Sequence, residues 1–397
     1  MRTLVTSILL LLLLALPALF NSIMLRHWQR NWWRRPLVKI LIWSFPLGGA
    51  LCLALILLVP LADIDPTATP LAQLMLMVLL GELVLMVAIP PTAGLQALLS
   101  RWPRPRRSHN DSTERRRGRR ELLSRGLTAL PVVAAGLGMG GVRETFAAAR
   151  VDLRQLAIPE LSAGLEGLRV LHVSDLHLGG FMLLSHLDGI LAQARKLRPE
   201  LIVITGDVAD DLRLLPSVLD RFIRFGAPLG VYVTLGNHEY GNGVREARAI
   251  LAESDATLLV NENRLVRRGG DYLQIAGVDD PLGCPQGMAR GDYLVKSVQK
   301  ATAGTTAAAC RVLLSHRPEA FDHIPGTVAL TLAGHTHGGQ MGLAGRSALE
   351  WTGLSRYPWG LYRRGEGQLY TSAGAGQWFP YRLGCPSEAP VFELRRG

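Results

Sequence analysis

Cysteine is scarce in this chain of 397 residues. The four cysteines, Cys52, Cys284, Cys310 and Cys385, form no C-x-x-C pair and no zinc-ribbon spacing. The sequence therefore excludes the common cysteine-based zinc and redox sites. Ordinary thiols are the simplest interpretation, and a disulfide between Cys284 and Cys385 stays open for an exported domain. No internal repeat or low-complexity tract follows residue 151, so no repeat architecture is predicted there.

Basic residues are not in excess in the C-terminal part of the chain, although the net charge is +11. From residue 151 onward, 25 Lys and Arg balance 25 Asp and Glu, so the whole excess lies in residues 1–150. A basic excess confined to loops between apolar runs is typical of membrane topology rather than of nucleic-acid binding. We therefore expect no nucleic-acid partner.

Long apolar runs are confined to the first 150 residues. Three of them, Leu4 to Leu25, about Leu37 to Ala62 and about Leu71 to Leu99, reach the roughly 20 residues that span a bilayer. Residues 1–100 are therefore predicted to form a membrane domain of three transmembrane helices. Glu82, inside the third run, is costly in lipid and is expected to face other helices.

Residues 101–121 are basic and contain proline, which predicts a cytoplasmic linker. Residues 122–143 are apolar and rich in Gly and Ala, and they are predicted to form a fourth transmembrane helix. The alternative is an internal twin-arginine-like signal that includes Arg119 and Arg120. Whether this segment is cleaved stays open.

The charged loops predict an orientation in the membrane. Arginine-rich segments at Arg26–Lys39 and Arg101–Arg125 are expected in the cytoplasm, and the acidic turn at Asp63 outside. Residues beyond about Val151 are then expected on the periplasmic or extracellular face of a bacterial inner membrane, which the chain crosses several times.

Residues 151–397 show short apolar runs that end in polar motifs, separated at first by amphipathic stretches. Alternation of strands and helices predicts an α/β domain whose sheet is largely parallel at first. The predicted helices are Leu183–Leu197, Leu214–Phe225 and Val244–Glu253. The predicted strands are Leu168–Val173, Leu201–Thr205, Val231–Leu235, Tyr272–Val278, Arg311–Ser315 and Val328–Ala333.

Five of these predicted strands are followed by side chains that bind metals. Residues two apart on an extended backbone point the same way, so Asp175 and His177 form a ready pair of ligands. Ligands of α/β folds collect at the carboxyl ends of strands. The set is large enough for two metal ions, and it comprises Asp175, His177, Asp207, Asn237, His238, His316, His335 and His337.

In this order, the motifs D-x-H, GD, GNHE, a single His and GHTH resemble the calcineurin-like metallophosphoesterase superfamily. The form GHTHGGQ, with apolar spans before it, resembles the bacterial membrane-associated branch. The resemblance covers about Leu168 to the C-terminus. It implies an α/β fold, a four-layer αββα sandwich, here preceded by about four transmembrane helices.

The resemblance also implies a role for each matching residue. Asp207 should bridge two metals, and His238 should be the catalytic histidine, which binds no metal. Glu239 occupies a less constant position and orients its neighbours. The first metal is expected on Asp175, His177 and His337, and the second on Asn237, His316 and His335.

The expected function is that of a membrane-anchored dinuclear-metal phosphoesterase. It would hydrolyse a phosphomonoester or phosphodiester by attack of a metal-activated water, with two divalent ions for which Mn, Fe or Zn suit the mixed N/O ligands. One alternative is a pyrophosphate hydrolase of the UDP-2,3-diacylglucosamine type. A second is a non-catalytic membrane scaffold, against which the intact ligand set argues.

A lipid-linked substrate is a further hypothesis. It rests on Phe181–Leu184 after the first ligand loop and on two aromatic clusters, which could form an apolar rim beside the metals. The alternative is that these side chains face the core and cap sheet edges. The clusters are Trp351, Tyr357, Trp359 and Tyr362, and Trp378, Phe379 and Tyr381.

Overall fold

The computed structural model describes residues 2–28, 30–40, 136–304 and 310–397, together with short stretches between residues 42 and 134. It divides into two compact units, Met1–Arg143 and Glu144–Gly397. The first unit contains helices α1 (Arg2–Trp28) and α2 (Arg30–Trp33).

The predicted membrane segments lie only partly within the described residues. In the part of the chain that the structure describes, no helix combines the length and the apolar character needed to cross a membrane. Most of the second and third predicted spans, and the whole basic linker 101–121, lie outside the described residues.

The second unit is built on two six-stranded sheets. In the first sheet the strand that ends the chain lies between two strands from the start of the unit. It is antiparallel to one of these neighbours, while all other pairs in the sheet are parallel. The spatial order is β1 (Leu153–Ile158), β14 (Val391–Arg396), β2 (Arg169–Val173), β3 (Leu201–Thr205), β4 (Val231–Thr234) and β5 (Thr257–Leu258).

The second sheet has four central parallel strands and an antiparallel strand at each edge. Its spatial order is β12 (Gly360–Arg364), β13 (Gly367–Thr371), β9 (Leu330–Ala333), β8 (Cys310–Ser315), β7 (Asp271–Gly277) and β6 (Glu262–Arg268). A small hairpin, β10 (Gly342–Leu343) and β11 (Arg346–Ser347), follows β9 along the chain.

The two sheets face each other across a continuous apolar core. Val170 and Val203 of the first sheet pack in the same cluster as Ile275, Val312 and Leu332 of the second, and all are buried. Because residues alternate along a strand, the other face of each sheet is left for helices to cover.

Helices cover the outer face of each sheet. Three of them, α3 (Leu184–Leu197), α4 (Leu215–Phe225) and α5 (Asn237–Ala252), pack on the first sheet. Helix α6 (Arg290–Ala301) packs on the second, and a short helix α7 (Ala348–Thr352) follows β11. The α/β sandwich expected from the motifs is therefore confirmed, and both of its sheets are mixed.

Helix α4 illustrates why the amphipathic stretches form helices here. Its buried side chains recur at a spacing of three or four residues, which is the period of one helix face. Gly226, with a left-handed φ of 77°, follows its last residue and ends the helix.

One predicted helix is preceded by a further helical segment, from which it is separated by a kink. Helix α5, expected from Val244, begins at Asn237 and bends at Gly243, whose φ is 140°. The GNHE motif therefore lies on the first turn of a helix rather than in a loop before one. The question of a disulfide is also answered, because Cys284 and Cys385 are both free thiols.

Candidate metal centre

Every site residue predicted from the sequence lies in one cluster at the carboxyl ends of the strands. Asp175 and His177 follow β2, Asp207 follows β3, and His316 follows β8. His335 and His337 follow β9, while Asn237 and His238 begin α5. Because β2 and β3 belong to one sheet and β8 and β9 to the other, the cluster joins the two halves of the sandwich.

The first group of potential ligands contains Asp175, His177 and His337, all three buried. The Nε2 atoms of the two histidines are 3.0 Å apart, and His337 Nε2 is 3.5 Å from Asp175 Oδ1. Two imidazole nitrogens and a carboxylate oxygen that converge in this way can coordinate one ion.

The second group contains Asp207, His316 and His335. His316 Nε2 lies 3.1 Å from His335 Nδ1 and 3.0 Å from Asn237 Oδ1. The amide oxygen of Asn237 therefore completes a second set of nitrogen and oxygen donors.

Asp207 lies between the two groups. Its Oδ2 atom is 3.7 Å from His177 Nε2 on one side and 3.3 Å from His316 Nε2 on the other. Its other oxygen, Oδ1, accepts a hydrogen bond of 2.8 Å from the backbone N–H of His238. One carboxylate thus contacts both sets of donors.

The backbone at the site is held in an uncommon conformation. Five potential ligands, all Asp or His, have left-handed φ values between 49° and 71°: Asp175, His177, Asp207, His335 and His337. Such conformations cost of order 1–3 kcal/mol each and cluster at functional sites. The rest of the fold must therefore hold these loops in place.

Two glycines allow the ligand loops to approach each other. A Cβ atom on Gly236 would lie 2.2 Å from Asp207 Oδ1, and one on Gly206 would lie 2.7 Å from His316 Nδ1. Neither distance is compatible with a side chain, so glycine is required where β3 and β4 end beside the metal ligands.

Glu239 fastens two of the loops to each other. Its buried carboxylate accepts three backbone hydrogen bonds, from Asp207 N at 3.0 Å, Val208 N at 2.7 Å and Gly236 N at 2.7 Å. This arrangement is the orienting role that the resemblance implies for Glu239.

Asp210 also belongs to the cluster, although none of the sequence motifs includes it. Its Oδ1 atom is 3.0 Å from His177 Nδ1 and 2.7 Å from His238 Nδ1. It therefore fixes both rings through their Nδ1 atoms, and His177 Nε2 lies among the other potential ligands. The signal that could have found it is its position three residues after Asp207, on the same loop.

Electrostatics at Asp210 and His238 favour a charged pair. Burial opposes ionisation of Asp210, but hydrogen bonds from His177 and His238 outweigh it and lower its pKa to about 2. The hydrogen bond to Asp210 raises the pKa of His238 above 6.5. His238 is half-buried.

The buried carboxylates hold positive charge at the centre. Although burial lowers it, the pKa of His316 rises to about 10 because Asp207 lies beside it. Burial and the neighbouring cations His316 and Arg317 lower the pKa of His335 to about 2. Burial lowers the pKa of His337 as well. Neutral imidazoles such as those of His335 and His337 can bind a metal ion, whereas His316 would have to release its proton on binding one.

The residues fit metal ions by a second criterion. Histidines that bind metals usually donate their other ring N–H to a carboxylate or a carbonyl. His316 Nδ1 lies 2.9 Å from Thr205 O, and His177 Nδ1 lies 3.0 Å from Asp210. Both rings are thereby oriented with Nε2 toward the potential ion.

Arg382, which none of the sequence motifs includes, lies next to His337 of the first group. Its fully buried guanidinium donates to the carbonyls of Ala373, Gly376 and Cys385 at 2.6–3.0 Å. Nη2 lies 3.4 Å from His337 Nδ1. The loop after β13 is thereby closed around His337.

Comparisons with known proteins agree with this geometry. The profile of a family described as calcineurin-like phosphoesterase matches residues 168–339. An uncharacterized metallophosphoesterase of Campylobacter jejuni is 29% identical over 273 residues, which cover 67% of this chain and 69% of that protein. A "transmembrane protein with metallophosphoesterase domain" from Danio rerio is 29% identical over 301 residues, covering 70% and 67%. Phosphodiesterase YaeI of Escherichia coli is 27% identical over 237 residues, covering 57% and 82%.

Proposed function

We propose a reaction and a location for this chain, which belongs through residues 168–339 to the calcineurin-like phosphoesterase family and is a metal-dependent phosphoester hydrolase. The proposed reaction is hydrolysis of a phosphomonoester or phosphodiester at a centre of two divalent metal ions. Similarity to the phosphodiesterase of Escherichia coli supports the diester as substrate.

The observation that carries the proposal is the position of Asp207 between two sets of donors. Asp175, His177 and His337 would hold one ion, and Asn237, His316 and His335 the other, with Asp207 shared by both. Bound ions of this kind supply positive charge that holds a phosphate oxygen and lowers the pKa of a water. Mixed nitrogen and oxygen donors suit Mn, Fe or Zn.

His238 is the proposed general acid. Its Nδ1 is hydrogen-bonded to Asp210, so the Nε2 proton is free to protonate the leaving alkoxide. The hydrogen bond to Asp210 raises the pKa of this ring, which favours its protonated form. Asp210 stays ionised throughout because its pKa is about 2, and it stabilises the imidazolium before the proton leaves.

Substitution of Asp207 by Asn tests the two-metal proposal. We expect the purified wild-type chain to hold about two transition-metal ions, and Asp207→Asn to lose most of both the metal and the turnover. Elemental analysis and turnover of a soluble phosphodiester measure the two effects. Asp188→Asn, at an exposed carboxylate on α3, is the matched control. Full metal content with normal turnover in Asp207→Asn would refute the shared-ligand assignment.

The location that we propose is a bacterial inner membrane, with the second unit on the periplasmic or extracellular face. Support comes from the apolar runs of residues 1–143, from the arginine-rich loops between them, and from the transmembrane designation of the Danio rerio relative.

The proposed substrate is linked to a lipid. Trp378 and Phe379 are 60% and 47% exposed, and Trp351 is also exposed. The loop that carries Trp378 and Phe379 is held beside the centre by Gln340, three residues after His337. Gln340 donates to the carbonyls of Phe379 and Tyr381. Exposed apolar patches mark membrane, protein or ligand-binding surfaces, and beside this site we take them to contact a lipid.

Other aromatic residues of the hypothetical rim have structural partners. Trp359 Nε1 donates to the buried Glu388, and the rings of Tyr357 and Tyr362 pack edge to face at 5.2 Å. Leu184, the first residue of α3, packs against the core of the first sheet. The proposal therefore rests on Trp351, Trp378 and Phe379 alone.

Trp378→Ser tests the lipid proposal. We expect kcat/KM for a phosphoester in lipid vesicles to fall about tenfold, because burying one large apolar side chain contributes about 1.5–3 kcal/mol. A matched water-soluble phosphoester should be unaffected. Tyr272→Ser is the control, since that exposed tyrosine lies on β7 at the opposite end of the sheet from the site. Equal effects on both substrates would reject a lipid substrate and leave a general phosphodiesterase.

A further inference from the structure

Arg317 occupies the edge of the second group of ligands. It directly follows His316, and its Nη1 atom lies 2.5 Å from His335 Nε2. Its side chain is 25% exposed. Among the described residues, two arginines contact a candidate metal ligand, Arg317 and Arg382, and Arg382 is fully buried. Arg317 is therefore the one of the two that a substrate entering from solvent can reach.

A buried carboxylate holds Arg317 in this position. Arg317 Nε donates to Asp280 Oδ2 at 2.9 Å, and the side chain of Asp280 is completely buried. The other carboxylate oxygen accepts from Leu282 N at 2.8 Å, which fixes Asp280 itself. The guanidinium is thus oriented before any ligand arrives, so binding costs little further conformational entropy.

The present partners of Arg317 leave part of its binding capacity unused. A guanidinium carries five N–H donors in a planar fork. Nε is used by Asp280 and Nη1 approaches one ring nitrogen, while Nη2 has no hydrogen-bond partner among the described residues. A planar fork with free donors matches the paired oxygens of a phosphoryl group.

We propose that Arg317 binds the non-bridging oxygens of the phosphoester and is a specificity-determining residue for an anionic phosphoryl group. The inference rests on the proposed function, since it presupposes that the phosphoester binds at the metal centre. Asp280 acts through Arg317 as a positioning residue.

The chain offers a matched control for this proposal. Arg248 lies beside Asp279, the neighbour of Asp280, with Nη2 3.7 Å from Asp279 Oδ2, and it is 44% exposed. Arg248 also donates to Tyr240 rather than to a candidate metal ligand. Removal of either arginine takes the charged partner away from a buried aspartate, but only Arg317 lies next to the metal centre.

The experiment uses the full-length, metal-loaded protein and inorganic phosphate as the probe. Calorimetry measures the dissociation constant of phosphate, elemental analysis measures metal content, and a soluble phosphodiester gives kcat and KM. We expect Arg317→Ala to raise the phosphate dissociation constant and KM at least about tenfold, or ~1.4 kcal/mol. Arg248→Ala should change neither.

Arg317→Lys keeps the test decisive if Arg317→Ala loses metal or fails to fold. Lysine preserves the charge beside Asp280 but lacks the planar fork, so phosphate binding should weaken by an intermediate factor. Unchanged phosphate binding in Arg317→Lys with normal metal content would overturn the proposal. Wild-type protein that holds metal but hydrolyses no phosphoester would instead reject the proposed function.

Discussion

Asp210 couples two histidines that have different tasks. One of its oxygens contacts both His177, a potential metal ligand, and His238, the proposed general acid. The loss of this carboxylate should therefore affect proton transfer, and it should affect metal binding less, because His177 keeps its place among the other ligands.

Asp210→Asn should shift the pH dependence of the reaction. A general acid must carry its proton, so activity falls as pH rises through the pKa of His238. The hydrogen bond to Asp210 holds that pKa above 6.5. Without the carboxylate charge the pKa falls, and the alkaline limb of kcat/KM should move to lower pH. An unmoved alkaline limb would contradict the assignment of His238 as general acid.

His238→Ala provides the comparison for that measurement. General acid catalysis contributes typically about 10²–10⁴-fold, so kcat should fall by that order while the metal content stays at the wild-type level. Metal loss in this variant would mean that His238 is a ligand, which its proximity to His177 and Asp207 allows geometrically.

The identity of the site residues could be predicted because each motif is short and local. Asp175 and His177, for example, follow a strand that the apolar run predicts within one residue of β2. Asp210, Arg317 and Arg382 could not be assigned in this way. Asp210 and Arg317 lie close to motif residues along the chain, but their roles depend on the direction of their side chains, and that of Arg382 depends on partners elsewhere in the fold; a short motif predicts neither.

Strand β14 is the element on which the first sheet most depends. It pairs with β1 on one side and β2 on the other, although it ends the chain. It is not among the strands that the apolar runs predict. Residues Val391–Arg396 carry no polar motif, and their partners lie more than 200 residues away, so no local pattern marks them as a central strand.

Deletion of residues 391–397 should abolish folding of the second unit. Val391, Phe392 and Leu394 are fully buried, and their burial contributes roughly 5–9 kcal/mol at about 1.5–3 kcal/mol each. This equals much of the about 5–15 kcal/mol by which a domain is stable. Soluble yield and a cooperative thermal transition measure the effect.

Deletion of Gly397 alone is the control for the truncation. That residue contributes one backbone hydrogen bond, to Ile158 O at 3.1 Å, worth about 1 kcal/mol. A soluble protein that lacks residues 391–397 and still unfolds cooperatively would show that the sheet does not need its central antiparallel strand.

At the scale of the whole molecule, the two units differ in what the sequence can predict. The alternation of strands and helices predicts the core elements of the second unit, because apolar periodicity follows directly from burial in a sandwich. Strands β1, β6 and β12 escaped prediction because they lie at sheet edges, where burial is partial. Strand β13 also escaped prediction, although all five of its residues are buried.

The orientation of the chain in a membrane is the last prediction. Positive residues near apolar spans stay in the cytoplasm. We therefore expect the arginine-rich loops at Arg26–Arg35 and Arg101–Arg125 to lie inside, and the turn with Asp63 and Asp65 to lie outside. If the chain has the four predicted spans, the second unit is expected to lie outside.

A reporter fused after Gly397 can distinguish the two orientations. Alkaline phosphatase, which folds only outside the cytoplasm, should be active there, and green fluorescent protein exported through the same route should not fluoresce. The same pair fused after Arg107, inside the basic linker, should give the opposite result and serves as the control. Fluorescence at the C-terminus without phosphatase activity would place the centre in the cytoplasm. Substrates would then have to be phosphoesters of the cytoplasmic leaflet, and a pyrophosphate bond in a nucleotide-linked lipid would become the better hypothesis.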